Sequence, residues 1–446
     1  MGWQIVKIGD FLKRSKIPIN IDDSKFYNRV TIRIKHQGVS LRDTEIGKKI
    51  GTKKQFILKA GQFVMSKIDA RYGAFGIAPD EVEGAIITGN FWAYDVEKSI
   101  VNINWLNQYT NSPVFYNLCE RASSGITHRK YLDEKSFLNH QILLPEITEQ
   151  DAHVAFIGAR KESVSNIEDE ISFQLDLLKK LRQQILQDAV QGKLVPQDAS
   201  DEPASVLLKR IKAEKEQLIR EKKIKKEKPL PTIKKEEIPF EIPENWVWCR
   251  LGEICLKITD GFHNTPPKTL TGFPYIAATH VKSDKIDWAN CHFVAEQYHR
   301  ELFIKTYPVK GELLLVNIGA GCGTPAIIDI DYEFSFKNTA ILKFNQSLIY
   351  NKFLFFFFFL RKDQIYSELT KGGLQPFLSL KILNEIYFPL PTYDEQYRIV
   401  SKIEQLMRFC DELEQTIRQN QTYTRQLLQV ALKEALEPSG TRPNES

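Results

Sequence analysis

Few stretches of this 446-residue chain carry residue types that could do chemistry. Ile318-Gly-Ala-Gly-Cys-Gly323 has the glycine density of a nucleotide-binding loop, but such a loop must open a helix whose N–H groups meet the phosphate. Pro325 stands where that helix should start. Pro79-Asp80 could begin a carboxylate cluster, yet its nearest usable partner downstream is Asp133-Glu-Lys135, more than fifty residues away. Holding Mg²⁺ beside a phosphate takes coordinated carboxylates and a lysine, and this spacing supports that weakly. No Walker loop, His-Glu-x-x-His or Gly-x-Ser-x-Gly occurs, and the eight histidines form no ligand spacing. The chain reads as a recognition protein, and no metal site is expected on it.

Recognition chemistry is better represented. Asn264-Thr-Pro-Pro267 approaches the Asn-Pro-Pro-Tyr loop of adenine methyltransferases, but an extra threonine and a missing aromatic break it. What remains is a set of cations and amides at strand ends and in predicted loops. Arg and Lys suit guanine edges and phosphates; Asn and Gln suit adenine. The candidate DNA-binding residues in the first half are Arg33, Lys35, His36, Lys67, Arg71, His128, Arg129 and Lys130. In the second half they are His263, Asn264, His280, Lys282, Lys337, Lys371 and Gln375.

The elements that must position them are written twice. Leu132-Asp-Glu-Lys135, Leu144-Pro145 and Glu149-Gln150 recur 246 residues later as Leu378-Ser-Leu-Lys381, Leu390-Pro391 and Glu395-Gln396. Upstream, Trp3 with Ile8-Gly9-Asp10 answers Trp246 with Leu251-Gly252-Glu253. Gly61-Gln-Phe-Val-Met65 answers Gly311-Glu-Leu-Leu-Leu315, and Asn90 answers Asn338. Between these landmarks the loops differ: Tyr72-Gly-Ala-Phe-Gly76 stands against Gly319-Ala-Gly-Cys-Gly-Thr324. A shared scaffold with different loops predicts two modules that bind related but distinct things. In the first, Val30–Ile34, Gln55–Leu58, Gln62–Met65 and Phe91–Tyr94 read as strands and Trp105 to Arg121 as a helix.

Each module runs into a long helix. Ile157, Val164, Ile171, Leu178 and Ile185 follow a seven-residue period, widened by Ile167 and Leu181. The second copy offers Ile399, Ile403, Leu406, Cys410, Leu413, Ile417, Leu427 and Ala431. This is the stripe of two paired helices, with an amide, Gln174 or Asn420, expected on each seam and Leu178 and Leu413 expected to be buried. After the first helix, Gly192 is placed to cap it and Pro196 to stop it. A second helix is predicted from Pro203 to about Lys226.

Composition is that of an ordinary folded protein: 42% apolar and 26% charged. Six scattered cysteines without a C-x-x-C pair predict reduced thiols, and Met-Gly-Trp-Gln shows no signal-peptide pattern, so a cytoplasmic location is expected. The Phe353–Leu360 run is too short for a membrane span and predicts a buried helix. Net charge is +5, of which Lys209–Glu237 supplies +6. That tract is either a solvated helix and linker or a non-specific hold on DNA phosphates.

Taken together, the doubled Leu-Pro-x3-Glu-Gln helices and the run Lys180-Leu-Arg-Gln-Gln-Ile-Leu-Gln-Asp-Ala-Val-Gln-Gly-Lys-Leu-Val-Pro196, leading through Ile242-Pro-Glu-Asn-Trp246, resemble the specificity subunit of Type I restriction–modification enzymes. The resemblance runs over nearly the whole chain. It implies an α+β fold with two repeated target-recognition domains separated by two long helices forming an antiparallel coiled coil. The division would be domain one at 1–148, a central region at 149–245 (long spacer helix, second helix, basic and Pro linker), domain two at 246–392, a spacer helix at 393–437 and a disordered tail at 438–446. It implies double-stranded DNA as ligand, two methylation subunits, and restriction or motor subunits, with no membrane partner. S-adenosylmethionine, ATP and Mg would sit on those partners and no cofactor on this chain. One departure is Ser124-Gly-Ile-Thr-His128, where the second module has Gly372-Gly-Leu-Gln-Pro376. Alternatives are a specificity module of a related modification or phage-defence system, or a coiled-coil scaffold with no DNA role.

If the long helices are the ruler between two half-sites, one heptad inserted level in both keeps their seam in phase. It lengthens the spacer by about 10 Å, or about three base pairs. Sequencing of methylated adenines should then show the same half-sites with a gap wider by about three; an active variant with an unchanged gap refutes the ruler.

Overall fold

The computed structural model describes residues 3–124, 130–262, 265–283, 285–370 and 376–436. The chain divides into two compact units, Met1–Ser172 with Arg418–Ser446 and Phe173–Ile417.

Each unit holds the same scaffold. In the first, Leu12–Ser15, Phe91–Val96, Phe63–Ser66 and Phe75–Ile77 lie in that order in an antiparallel sheet. In the second, Lys257–Asp260, Thr339–Lys343, Leu313–Val316 and Pro325–Ile327 repeat the order. The central strands Phe63–Ser66 and Leu313–Val316 are buried along their whole length, as the apolar runs in both glycine-led segments require. A two-stranded ribbon closes each scaffold: Gln4–Lys7 with Gln141–Leu144, and Val247–Arg250 with Tyr387–Leu390. The matching backbone bonds repeat as well. Lys67 N donates to Asn90 O at 2.8 Å and Leu132 N to Lys67 O at 2.9 Å. Their counterparts are Asn317 N to Asn338 O at 3.2 Å and Leu378 N to Asn317 O at 2.7 Å.

A second sheet differs between the units. The first has five strands, ordered Ile17–Asn20, Lys54–Ile57, Ile86–Ile87, Phe26–Ile32, Val39–Ile46. The second has four, ordered Lys268–Thr269, His292–Val294, Phe273–Ile276, Ser335–Phe336. The helix predicted over 105–121 is two helices, Ile103–Thr110 and Pro113–Arg121. Ser112 ends the first by capping the second, its hydroxyl accepting from Phe115 N, and Pro113 takes the first helical position, where no N–H is needed. The phenylalanine run forms the helix Asn351–Gln364, with Phe353, Leu354, Phe357 and Phe358 buried. No helix among the described residues is long and apolar enough to cross a membrane.

The long helices are Ile147–Val190 and Tyr393–Leu436. A glutamine in the first turn ties each to its module. Gln150 accepts from Asn102 N at 2.7 Å and donates to Pro145 O at 2.8 Å and Ile100 O at 3.0 Å. Gln396 accepts from Tyr350 N at 2.8 Å and donates to Pro391 O at 3.4 Å. Beside it, the buried Glu395 carboxylate accepts from the Trp246 indole at 2.8 Å, and burial raises its pKa. Gly192 sits at φ +71° after the first helix, where a Cβ would strike Pro243 and Trp246. The next helix, Ala204–Arg220, stops short of Lys226 because Lys222 turns left-handed at φ 60°.

Pairing of the long helices is antiparallel. Arg425 donates to Glu168 at 2.8 Å in the first unit, where Ile157 shares a core with Leu436. In the second, Arg182 meets Asp411 at 2.7 Å and Glu414 at 3.1 Å. Of the predicted seam, Ile157, Ile171, Leu178 and Ile185 are buried, while Val164, Leu406 and Ile417 are half-buried. Leu413 and Leu427 are not on the seam, being 37% and 69% exposed. Ile167 and Leu181 also face outward, at 44% and 45%, and Gln174 and Asn420 are exposed. The inward positions between the apolar ones are Glu168, Leu175 and Arg182 on one helix and Met407, Glu414 and Leu428 on the other. Ion pairs fill half of that second row, so the leucines one step away fall on the flank.

This assignment separates two leucines of one type. Leu178→Ala should cost about 2–5 kcal/mol by thermal denaturation, as a buried leucine does. Leu427→Ala should stay within about 0.5 kcal/mol, as a surface change does.

Candidate nucleic-acid interface

In the first unit, the hairpin of Phe26–Ile32 with Val39–Ile46 turns at residues 33–38. Arg33 and Lys35 are exposed there and His36 is half-buried. Lys35 N donates to Tyr72 O at 2.7 Å and His36 N to Gly73 O at 2.9 Å, which sets the hairpin tip against the turn carrying Arg71. The Arg71 guanidinium stacks 4.6 Å from the ring of the exposed Tyr72. Lys67 lies at the end of its strand with its ammonium 5.3 Å from the ring of Tyr131, itself 40% exposed. Lys130, next in chain, pairs with Glu120 at 3.9 Å. The hairpin tip and the turn beside it thus bring Arg33, Lys35 and Arg71 together with Tyr72, and Lys67 with Tyr131. Cations interleaved with aromatic faces suit phosphates and bases. His128 and Arg129 lie outside the described residues.

His36 differs from the rest. Its Nε2 is 2.9 Å from Thr110 Oγ1, whose own hydroxyl donates to Asn107 O. The ring nitrogen therefore donates, and burial holds the imidazole pKa below its usual value. This nitrogen is committed to the fold and is not available to a base.

In the second unit, His280 is the clearest correction. It is buried, its Nδ1 accepts from Ala277 N at 2.9 Å, and Nε2 lies 3.0 Å from Asn290 O. Both nitrogens are used in closing a turn, so it reads no base. Lys282 is exposed and donates to Thr279 O at 2.6 Å. Lys337 is half-buried, with its ammonium on the Thr265 hydroxyl. Near it stand two residues that sequence reasoning missed, Lys268 and His292. Slight burial first, then the charges of Lys268, His280 and Lys337, lower the His292 pKa. Only strand pairing places these groups together, and no local motif announces it. His263, Asn264, Lys371 and Gln375 lie outside the described residues.

The basic tract is partly spent inside the fold. Lys215 donates to Gly252 O and Cys255 O, both at 2.9 Å, and Lys212 pairs with Glu253 at 2.7 Å. The glycine loop is followed by the strand Pro325–Ile327 and not by a helix, so no ring of N–H groups faces a phosphate. Among the described residues, no group of three or more His, Cys, Asp or Glu is arranged to hold a metal ion.

Residues 243–421 match the family model described as the Type I restriction modification DNA specificity domain. The EcoAI specificity subunit of Escherichia coli, a Type I restriction enzyme component, is 30% identical over 369 residues. Residues 243–421 belong to the Type I DNA specificity-domain family. The match to the EcoAI subunit covers 72% of this chain and 62% of that subunit. The EcoEI specificity subunit of Escherichia coli is 28% identical over 384 residues, 72% of this chain and 63% of that one. The chain thus spans somewhat under two thirds of the length of these relatives. The HsdS subunit from Thermoanaerobacter tengcongensis shares the fold, with a TM-score of 0.57 at 17% identity over 98% of this chain and 96% of that one. A chain from a structural study of complex assembly in the type I R-M system gives 0.56 at 16% identity, covering 98% of each. The α+β architecture with two long helices is that of these family members.

The assignments differ in what substitution should do. His280→Ala should cost about 1–3 kcal/mol of stability by leaving the Ala277 N–H without its acceptor, with no change in sequence preference. Lys337→Ala should keep stability and weaken DNA binding evenly across sequences. Its log-affinity against log-salt slope should shrink by about 0.9, as measured by titration at several salt concentrations.

Proposed function

We propose that this chain is the sequence-reading, non-catalytic subunit of a Type I restriction–modification complex. Each module reads one half of a split double-stranded DNA site. Two methylation subunits place adenine methylation at that site, and restriction or motor subunits couple it to cleavage. S-adenosylmethionine, ATP and Mg belong to those partners, and the complex works in the cytoplasm. The observation that carries this reading is the same four-stranded scaffold built twice with different second sheets and different cation sets. Two copies of a carrier with unlike reading surfaces suit a site with two unlike halves. The basic and aromatic residues at the hairpin tip of the first unit, and Lys268, His292 and Lys337 in the second, supply the phosphate and base chemistry such reading needs.

The experiment is an exchange of residues 1–148 for the equivalent module of a family member, co-expressed with the methylation partner. Sequencing of methylated adenines should show one half of the site replaced and the other retained. Both halves changing together, or no defined site, would refute independent reading.

A further inference from the structure

The hairpin tip of the first unit is strained. Lys35 and His36 are consecutive non-glycine residues in the left-handed region, at φ 58° and 53°. Positive-φ positions in hairpin loops ordinarily go to Gly, Asn or Asp, because other side chains resist that backbone. Strain that persists is over-determined by its surroundings and clusters where a side chain must be aimed. Here the surroundings are specific. The two strained N–H groups donate to Tyr72 O and Gly73 O, and the His36 ring donates to Thr110. The ring also stands edge-on to Phe75, with centroids 5.6 Å apart. Gly73, at φ +81°, has no room for a Cβ beside the Tyr116 hydroxyl and His36 N, so the seat itself is fixed.

What this clamp presents is Lys35. It is exposed, and its ammonium has no ion-pair partner among the described residues. Arg33, Ile34 and Gln37 are exposed around it. The hairpin is a two-stranded ribbon whose outer strand, Val39–Ile46, forms the edge of its sheet, and the major groove admits a two-stranded ribbon. We infer that this tip enters the major groove of the first module's half-site, with Lys35 donating to the O6 and N7 edge of a guanine and His36 serving as a positioning residue through Thr110. This rests on the DNA-reading function proposed above. A flexible lysine would serve a phosphate equally well, but base reading requires the ammonium to be aimed. The strained, multiply anchored tip does that aiming.

The test uses the full chain assembled with its methylation partner. Its readouts are sequencing of methylated adenines and DNA binding over a salt series. Lys35→Asn tolerates the left-handed backbone. It should lower the preference for guanine at one position of the first half-site roughly tenfold, leaving the second half and the salt slope unchanged. His36→Gly, which relieves the strain, and Thr110→Val, which leaves the hairpin untouched, should loosen that same position and no other. If Lys35→Asn weakens all sequences alike and the slope falls by about 0.9, Lys35 is a phosphate contact and the inference is wrong. An unchanged motif for Lys35→Asn also overturns it. His36 and Thr110 variants that lose stability with every base preference intact would overturn the positioning role. A wild-type complex that marks no defined sequence refutes the DNA-reading function itself, whereas a defined motif indifferent to these variants refutes only the tip.

Discussion

A buried amide at the start of each long helix is the joint on which both units depend. Gln150 and Gln396 are fully buried, and each bridges its helix's first turn, the Leu-Pro strand end before it and a backbone group of the module. Leaving such a group unpaired costs about 1–3 kcal/mol, so the three segments hold one geometry. That explains why Leu-Pro-x3-Glu-Gln appears twice at an unbroken offset while the loops around it differ. The amide constrains the angle at which helix leaves module, and everything else tolerates change.

From that joint the helices pair through one apolar row and one mixed row. Exposed ion pairs such as Arg425 with Glu168 contribute only about 0–1 kcal/mol each. Cohesion therefore comes from Ile157, Ile171, Leu178 and Ile185 and their partners, whereas the charges favour this direction and register over alternatives. The modules show the same division between carrying and selecting. The scaffold sheets repeat strand for strand, and the second sheets, which hold the hairpin tip and the Lys268–His292 group, do not.

The sequence showed the repeat, the long helices and the first apolar row because each rests on local periodicity or identity. Its second row was misread at Leu413, where the ion-paired Glu414 takes the inward place, and at Leu427, where the adjacent Leu428 does. The break at Ser112-Pro113 was legible, since a cap followed by proline is a start signal, but the apolar pattern on both sides hid it. The site was harder. His280 and His36 look like surface readers until their acceptors and donors, Ala277, Asn290 and Thr110, are placed. Lys268 and His292 become neighbours only through strand pairing, which no short window contains.

The division of the chain also sets an order of assembly. The second unit, Phe173–Ile417, is continuous in sequence, but the first draws on Arg418–Ser446 as well as the N-terminal residues. On a ribosome, the first module emerges before the second unit and the segment that completes its own unit emerges after it. Domains ordinarily close in the order they are made. Here the module made before the second unit waits through some 245 intervening residues for its partner helix, a loop closure of high contact order. The second unit can close meanwhile, so the module that emerges before it is sealed after it.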